Sequence, residues 1–152
     1  MTGGREPVPT TARRVLGLDL GSKRIGVAVS DRSGTIAGPL TVQQRTGDPA
    51  RDRLAVKRLV DEEEAEAVVV GLPLALDGSV GRAAQAALAE AEALASVVGV
   101  PVATHDERFT TVSAERPMRA AGMKAPARRK VVDMVAAAVM LQAWLDGRSA
   151  RS

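Results

Sequence analysis

The chain has 152 residues, no cysteine, and 21 Lys+Arg against 18 Asp+Glu, a formal net charge of +3. That length suits one domain around one core, and 45% hydrophobic with 26% charged residues is the balance of a globular chain. Disulfides, thiolate metal sites and a cysteine nucleophile are excluded. So is base stacking on aromatic platforms, because aromatics make up only 1% of the chain, Phe109 and Trp144 with no tyrosine.

Residues 1–13 are rich in Pro, Gly and Thr and lack periodicity, so a loose tail is expected there. Neither the N-terminal MTGGREPVPTTARR nor any later apolar run suits secretion or a membrane span of about 20 residues. A cytoplasmic protein with no membrane partner is expected. VLGLDL (15–20), IGVAVSD (25–31) and TIAGPLTVQQR (35–45) read as three strands joined by short turns. Pro39 marks the third as an edge strand or the site of a bulge. From Pro49 to Glu66 the apolar Leu54, Ala55, Leu59 and Val60 recur at helical spacing. AVVVGLP (67–73) is a continuous β-branched run, the pattern of a strand covered on both faces. An alanine-rich helix over 81–98 ends at Gly99 and Pro101, PVATHDE (101–107) is a fifth strand, and helices follow at about 112–121 and 127–146. Gly147 is expected to close the last helix, leaving 148–152 frayed. The order β-β-β-α-β-α-β-α-α predicts one α/β domain over 14–147. Its five-stranded mixed sheet has an antiparallel three-strand meander, two parallel strands, right-handed crossovers and helices on both faces.

Four acids fall where such a sheet places ligands, beyond the carboxyl ends of its strands. Asp19 interrupts an apolar strand, Asp106 and Glu107 end the last strand, and Asp133 is the only acid in KVVDMVAAAVML. Residues 133, 137, 140 and 144 share one helical face, which turns Asp133 toward the sheet. Singly, each acid has a local explanation: a turn before Gly21, a pair with Arg108, a favourable charge early in a helix. Jointly, three gathered carboxylates repel one another, and hard oxygen ligands of that kind suit Mg²⁺ or Mn²⁺. Basic residues accompany them: Lys23 and Arg24 after Asp19, Arg108 after Glu107, and Lys124, Arg128, Arg129 and Lys130 before Asp133. A sequence pI near 9.9 is compatible with a phosphate track along these positions. His105, beside the acids, reads as structural.

Four blocks, VLGLDLGSKRIGVAVSD (15–31), VVVGLPLALDGSVG (68–81), THDERFTT (104–111) and VDMVAAAVMLQAWL (132–145), resemble the YqgF family, also called RuvX, of RNase H-like nucleases. The family pattern usually has Leu where Phe109 stands. The resemblance covers about residues 14–146 and implies an RNase H-like fold with Asp19, Glu107 and Asp133 as catalytic acids and metal ligands. It further implies a hydrolase using two Mg²⁺ or Mn²⁺ ions, which matures the 5′ end of pre-16S rRNA in bacterial cytoplasm. Structured RNA, ribosome-assembly intermediates and branched DNA are the partners it suggests, with the working unit a monomer or homodimer. Two alternatives stay open: a Holliday-junction resolvase, and a non-catalytic factor that binds nucleic acid. An actin-like nucleotide-binding fragment shares the first hairpin pattern but would need a second related domain.

Overall fold

The structure, a computed structural model, describes residues 8–9, 11–75, 77–109 and 125–151. The strands are β1 (Val15–Leu20), β2 (Arg24–Ser30), β3 (Ala37–Gln44), β4 (Ala67–Leu72) and β5 (Val102–Asp106). The helices are α1 (Pro49–Glu62), α2 (Arg82–Val98) and α3 (Ala125–Arg151), with a single 3-10 turn at Glu107–Phe109. The helix expected at 112–121 lies outside the described residues.

The sheet order is β3-β2-β1-β4-β5. The first three strands pair antiparallel, while β4 pairs parallel with both β1 and β5. Pro39 fits both expectations for it: β3 is an edge strand, and its register with β2 shifts between Val27 and Ala28, where Pro39 is paired.

Side-chain alternation gives the sheet two apolar faces. One carries Leu16, Leu18, Val27, Val68, Val70 and Val102 against Val56 and Val60 of α1 and Ala91, Leu94 and Val98 of α2. The other carries Val15, Ala28, Ala67 and Val69 against Ala137, Met140, Leu141 and Leu145 of α3. The run Ala67–Val70 is fully buried because helices cover both sides of β4.

Local chemistry sets the helix ends. The Asp48 carboxylate accepts from the backbone N–H groups of Ala50 and Arg51, and Pro49 occupies the first turn of α1. Gly99 closes α2 in the left-handed conformation.

Three local expectations give way to longer-range contacts. The buried face of α1 carries Asp52, Val56 and Val60, whereas Leu54 is 60% exposed. Asp52 is buried because its carboxylate accepts from the Thr46 backbone N–H and hydroxyl, closing the turn between β3 and α1. Gly147 does not end α3. The helix runs on to Arg151, and Arg148 donates to the carbonyls of Ala12 and Gly34 while lying over the Trp144 ring at 4.8 Å. Those contacts offset the roughly 1 kcal/mol that a helical glycine costs. Within the stretch expected as a loose tail, Val8 and Ala12 pack on the α3 face, and buried Ser30 receives the Val15 N–H while donating to the Arg13 carbonyl.

A candidate acidic centre at the carboxyl ends of β1 and β5

Asp19 is the fifth residue of β1 and shares the parity of Val15, so it belongs to the α3 face of the sheet. Glu107 follows β5 directly, and its side chain lies over Gly71 of β4. A Cβ at Gly71 would meet Glu107 Oε1. The bare glycine is what lets Glu107 cross β4 toward β1. Asp133 sits in the third turn of α3, packed against β2. A Cβ at Gly26 would overlap the Asp133 carbonyl oxygen, so this glycine serves the close packing of α3 on β2.

The Asp19 and Glu107 carboxyls share a hydrogen bond. Burial raises the Asp19 carboxyl above its ordinary range and the Asp133 charge adds to the rise, while the bond with Glu107 works the other way. Glu107 is pushed up to about 7, first by burial, then by the Asp19 charge and the shared hydrogen bond. Glu107 is therefore the partner that keeps the proton and donates it to Asp19. Two carboxyls that resist ionising together, with a third acid acting on the pair, form a centre short of positive charge.

Asp133 is near enough for its charge to reach Asp19, but its carboxylate is held by Arg24 Nε at 2.7 Å. Among the described residues, no three His, Asp or Glu side chains come together closely enough to hold one ion. The expected trio is thus a pair plus a third acid engaged elsewhere. Asp106 is also engaged: Arg108 grips both its oxygens at 2.6–3.1 Å and holds its carboxyl below the usual range. Hard, anionic oxygens on Asp19 and Glu107 fit a divalent cation, which would replace the shared proton. Asp133 fits as a further ligand once Arg24 releases it.

A cavity of about 440 Å³ opens on the pair, lined by Asp19, Glu107, Ser22, Arg45, Pro73 and Glu90 among others. Sequence reading missed Arg45 and Glu90. Glu90 is clamped by Arg53 through two bonds of 2.9 and 3.0 Å, whereas Arg45 Nε is buried with no hydrogen-bond partner among the described residues. No signal in the chain marks either residue, because β3 and α2 reach the cavity only through the tertiary fold.

The basic residues divide into two sets. Arg24 and Arg108 are committed to Asp133 and Asp106. Arg24 nevertheless also lines a groove of about 410 Å³ with Gln44, Ala127, Arg129 and Lys130, beside the first turn of α3. Lys23 is exposed in the β1–β2 turn and Arg128 is half-buried in α3. Lys124 lies outside the described residues. His105 stands on β5 beside a separate hollow with Thr104, Trp144 and Arg148.

A mixed five-stranded sheet in this order, helices on both faces and acids at its carboxyl edge make an RNase H-like fold. Two solved structures share it. The RuvC of T. thermophilus in complex with a Holliday junction substrate has a TM-score of 0.54 at 19% identity, with 91% of this chain and 95% of that one covered. The yeast mitochondrial Holliday junction resolvase Ydc2 also has a TM-score of 0.54, at 12% identity, with 95% and 82% covered.

The chain belongs to the RuvX family: residues 13–147 match its family model, described as a Holliday junction resolvase. Relatives named "Putative pre-16S rRNA nuclease" include one from Mycobacterium bovis, 50% identical over 145 residues, covering 93% of this chain and 83% of the relative. Another, from Myxococcus xanthus, is 47% identical over 133 residues, covering 88% and 87%.

Proposed function

We propose that residues 14–147 form a divalent-metal-dependent phosphodiester hydrolase that processes the 5′ end of pre-16S rRNA in the cytoplasm. The observation that carries this reading is the Asp19–Glu107 pair, two carboxyls held within hydrogen-bond reach against their mutual repulsion. Kinship with relatives named for pre-16S rRNA supports the choice of substrate.

In this reading Asp19, Glu107 and Asp133 would together hold the metal, two ions being the number that fits phosphodiester hydrolysis. Bound Mg²⁺ or Mn²⁺ would acidify the attacking water and neutralise the scissile phosphate. The chain's own contribution is to hold the oxygens in place: Asp19 on a central strand, Glu107 across Gly71, Asp133 on a helix seated against Gly26. Arg129 and Lys130 flank the positive N-terminal end of α3, whose first turn carries no acid. Cations at that end repel the helix dipole and attract a polyanion, so this groove is the track for backbone phosphates. Recognition then rests on charge and duplex shape rather than on stacked bases.

The test is incubation of the purified protein with precursor 16S rRNA and with a four-way DNA junction, each with and without Mn²⁺, beside Asp19→Asn. Metal-dependent cleavage of the RNA, lost in the variant, is the expected result. Cleavage of the junction alone would make the protein a resolvase, and binding of either without cleavage would make it a non-catalytic factor.

A further inference from the structure

Arginines around the acidic centre are paired with carboxylates: Arg24 with Asp133, Arg53 with Glu90, Arg108 with Asp106. Arg45 is different. It lines the same cavity as Asp19 and Glu107, and its Nε is buried without a hydrogen-bond partner among the described residues. Its backbone is nevertheless fixed, because the Arg45 N–H donates to the Lys23 carbonyl at 2.9 Å and continues the β2–β3 ladder past Gln44.

A buried donor with no acceptor costs the fold stability. The carboxylate nearest in kind, Glu90, has both oxygens on Arg53. A guanidinium held at the wall of an acidic cavity, with one donor unspent, lacks an anion of the size and charge of a phosphate. Its planar fork suits two phosphate oxygens in a way that an ammonium does not.

We propose that Arg45 binds a backbone phosphate of the nucleic-acid substrate directly beside the Asp19–Glu107 pair, and so sets which phosphodiester lies over the acids. This inference rests on the nuclease reading for the identity of the anion. It adds to that reading a substrate-contacting residue directly after β3, whose neighbour Gln44 lines the α3 groove.

The test uses Arg45→Met, which keeps the apolar stem, together with Arg45→Lys and, as a charge-matched control, Arg58→Met on the exposed side of α1. Binding of a labelled RNA spanning the 5′ end of pre-16S rRNA is measured in EDTA across a KCl series, and melting midpoints are recorded for each protein. Arg45→Met should bind about tenfold more weakly at low salt and flatten the slope of log K against log salt by about one contact, while Arg58→Met does neither. Its melting midpoint should not fall, since no internal hydrogen bond of Nε is lost. Arg45→Lys should restore the slope, yet cleave about tenfold more slowly at saturating RNA with Mn²⁺.

An unchanged slope and affinity in Arg45→Met overturns the proposal, as does a fall in melting midpoint with no change in slope, which would make the residue structural. Absence of metal-free RNA binding by the wild type overturns it too. If the slope changes but the wild type cleaves nothing, Arg45 remains a phosphate contact and the nuclease reading is what fails.

Discussion

Arg24 opens β2 and Asp133 lies 109 residues later on α3, yet Arg24 Nε donates to Asp133 Oδ2 at 2.7 Å. Both side chains remain about a quarter exposed, so the pair adds at most about 1 kcal/mol to stability. Its larger consequence is competition. While Arg24 holds Asp133, the carboxylate is withheld from a cation and the guanidinium's charge is spent on Asp133 rather than on an anion in the groove it lines with Arg129 and Lys130. Arg24→Ala should therefore tighten Mn²⁺ binding severalfold in titration calorimetry while weakening RNA binding in EDTA. Loss of both affinities together would show that the pair is scaffolding.

Asp19 stands where every proposed ligand interaction meets. Asp19→Asn should lower cleavage by about 10³-fold or more, the scale of removing a principal catalytic group, and leave RNA affinity in EDTA unchanged or improved. Removing one of two opposed carboxylates also relieves repulsion, so the metal-free variant should melt at or above the wild-type temperature. Mn²⁺ should raise the midpoint of the wild type and not of the variant. A ligand at 100 times its Kd contributes about 2.7 kcal/mol.

The Glu107 proton gives the metal-free protein a signed pH dependence. Its carboxyl titrates near 4.5 when unfolded and at about 7 in the fold. Between those values the folded state binds more protons than the unfolded state, so stability falls as pH rises through that window. Asp31, Glu66 and Asp106, whose carboxyls are lowered, contribute in the opposite sense but at more acidic pH. Urea melts from pH 5 to 8 should show the wild type losing stability relative to Glu107→Gln, and millimolar Mn²⁺ should remove that loss. Parallel curves for the two proteins would mean the carboxyl pair is not strained.

Two glycines on or against α3 should respond in opposite directions to the same methyl group. Gly26→Ala drives a Cβ into the Asp133 carbonyl and must push α3 away from β2. A cost of about 1–3 kcal/mol is expected, with cleavage falling further than RNA binding. Gly147→Ala meets nothing within 4 Å and lies inside the helix, so it should stabilise by roughly 0.5–1 kcal/mol. Chemical denaturation of the two variants checks both signs.

The strands, the crossover helices and the acids at strand ends, Asp19 and Glu107, were legible because each depends on a few neighbouring residues. The β-branched run Ala67–Val70 announces a covered strand, Gly99 announces a helix end, and Asp19 stands out inside an apolar segment. The inner face of α1 was not legible. Helical period admits Leu54 or Val56 on the core side, and the choice falls to Val56 because Asp52, four residues earlier, is drawn inward by Thr46. The continuation of α3 through Gly147 was hidden for the same kind of reason, since Arg148 finds its carbonyl partners at Ala12 and Gly34.

Sequence alone determined the strands and helices seen among the described residues and which acids stand at strand ends, since periodicity and turn chemistry are short-range properties. Only the tertiary structure decided how those acids are used: Asp19 shares a hydrogen bond with Glu107, Asp133 is taken by Arg24, and Arg45 Nε has no partner among the described residues. Those outcomes depend on which charges meet after burial, and electrostatic interactions at a few ångströms are set by positions that residues tens of places apart acquire only when the chain has packed.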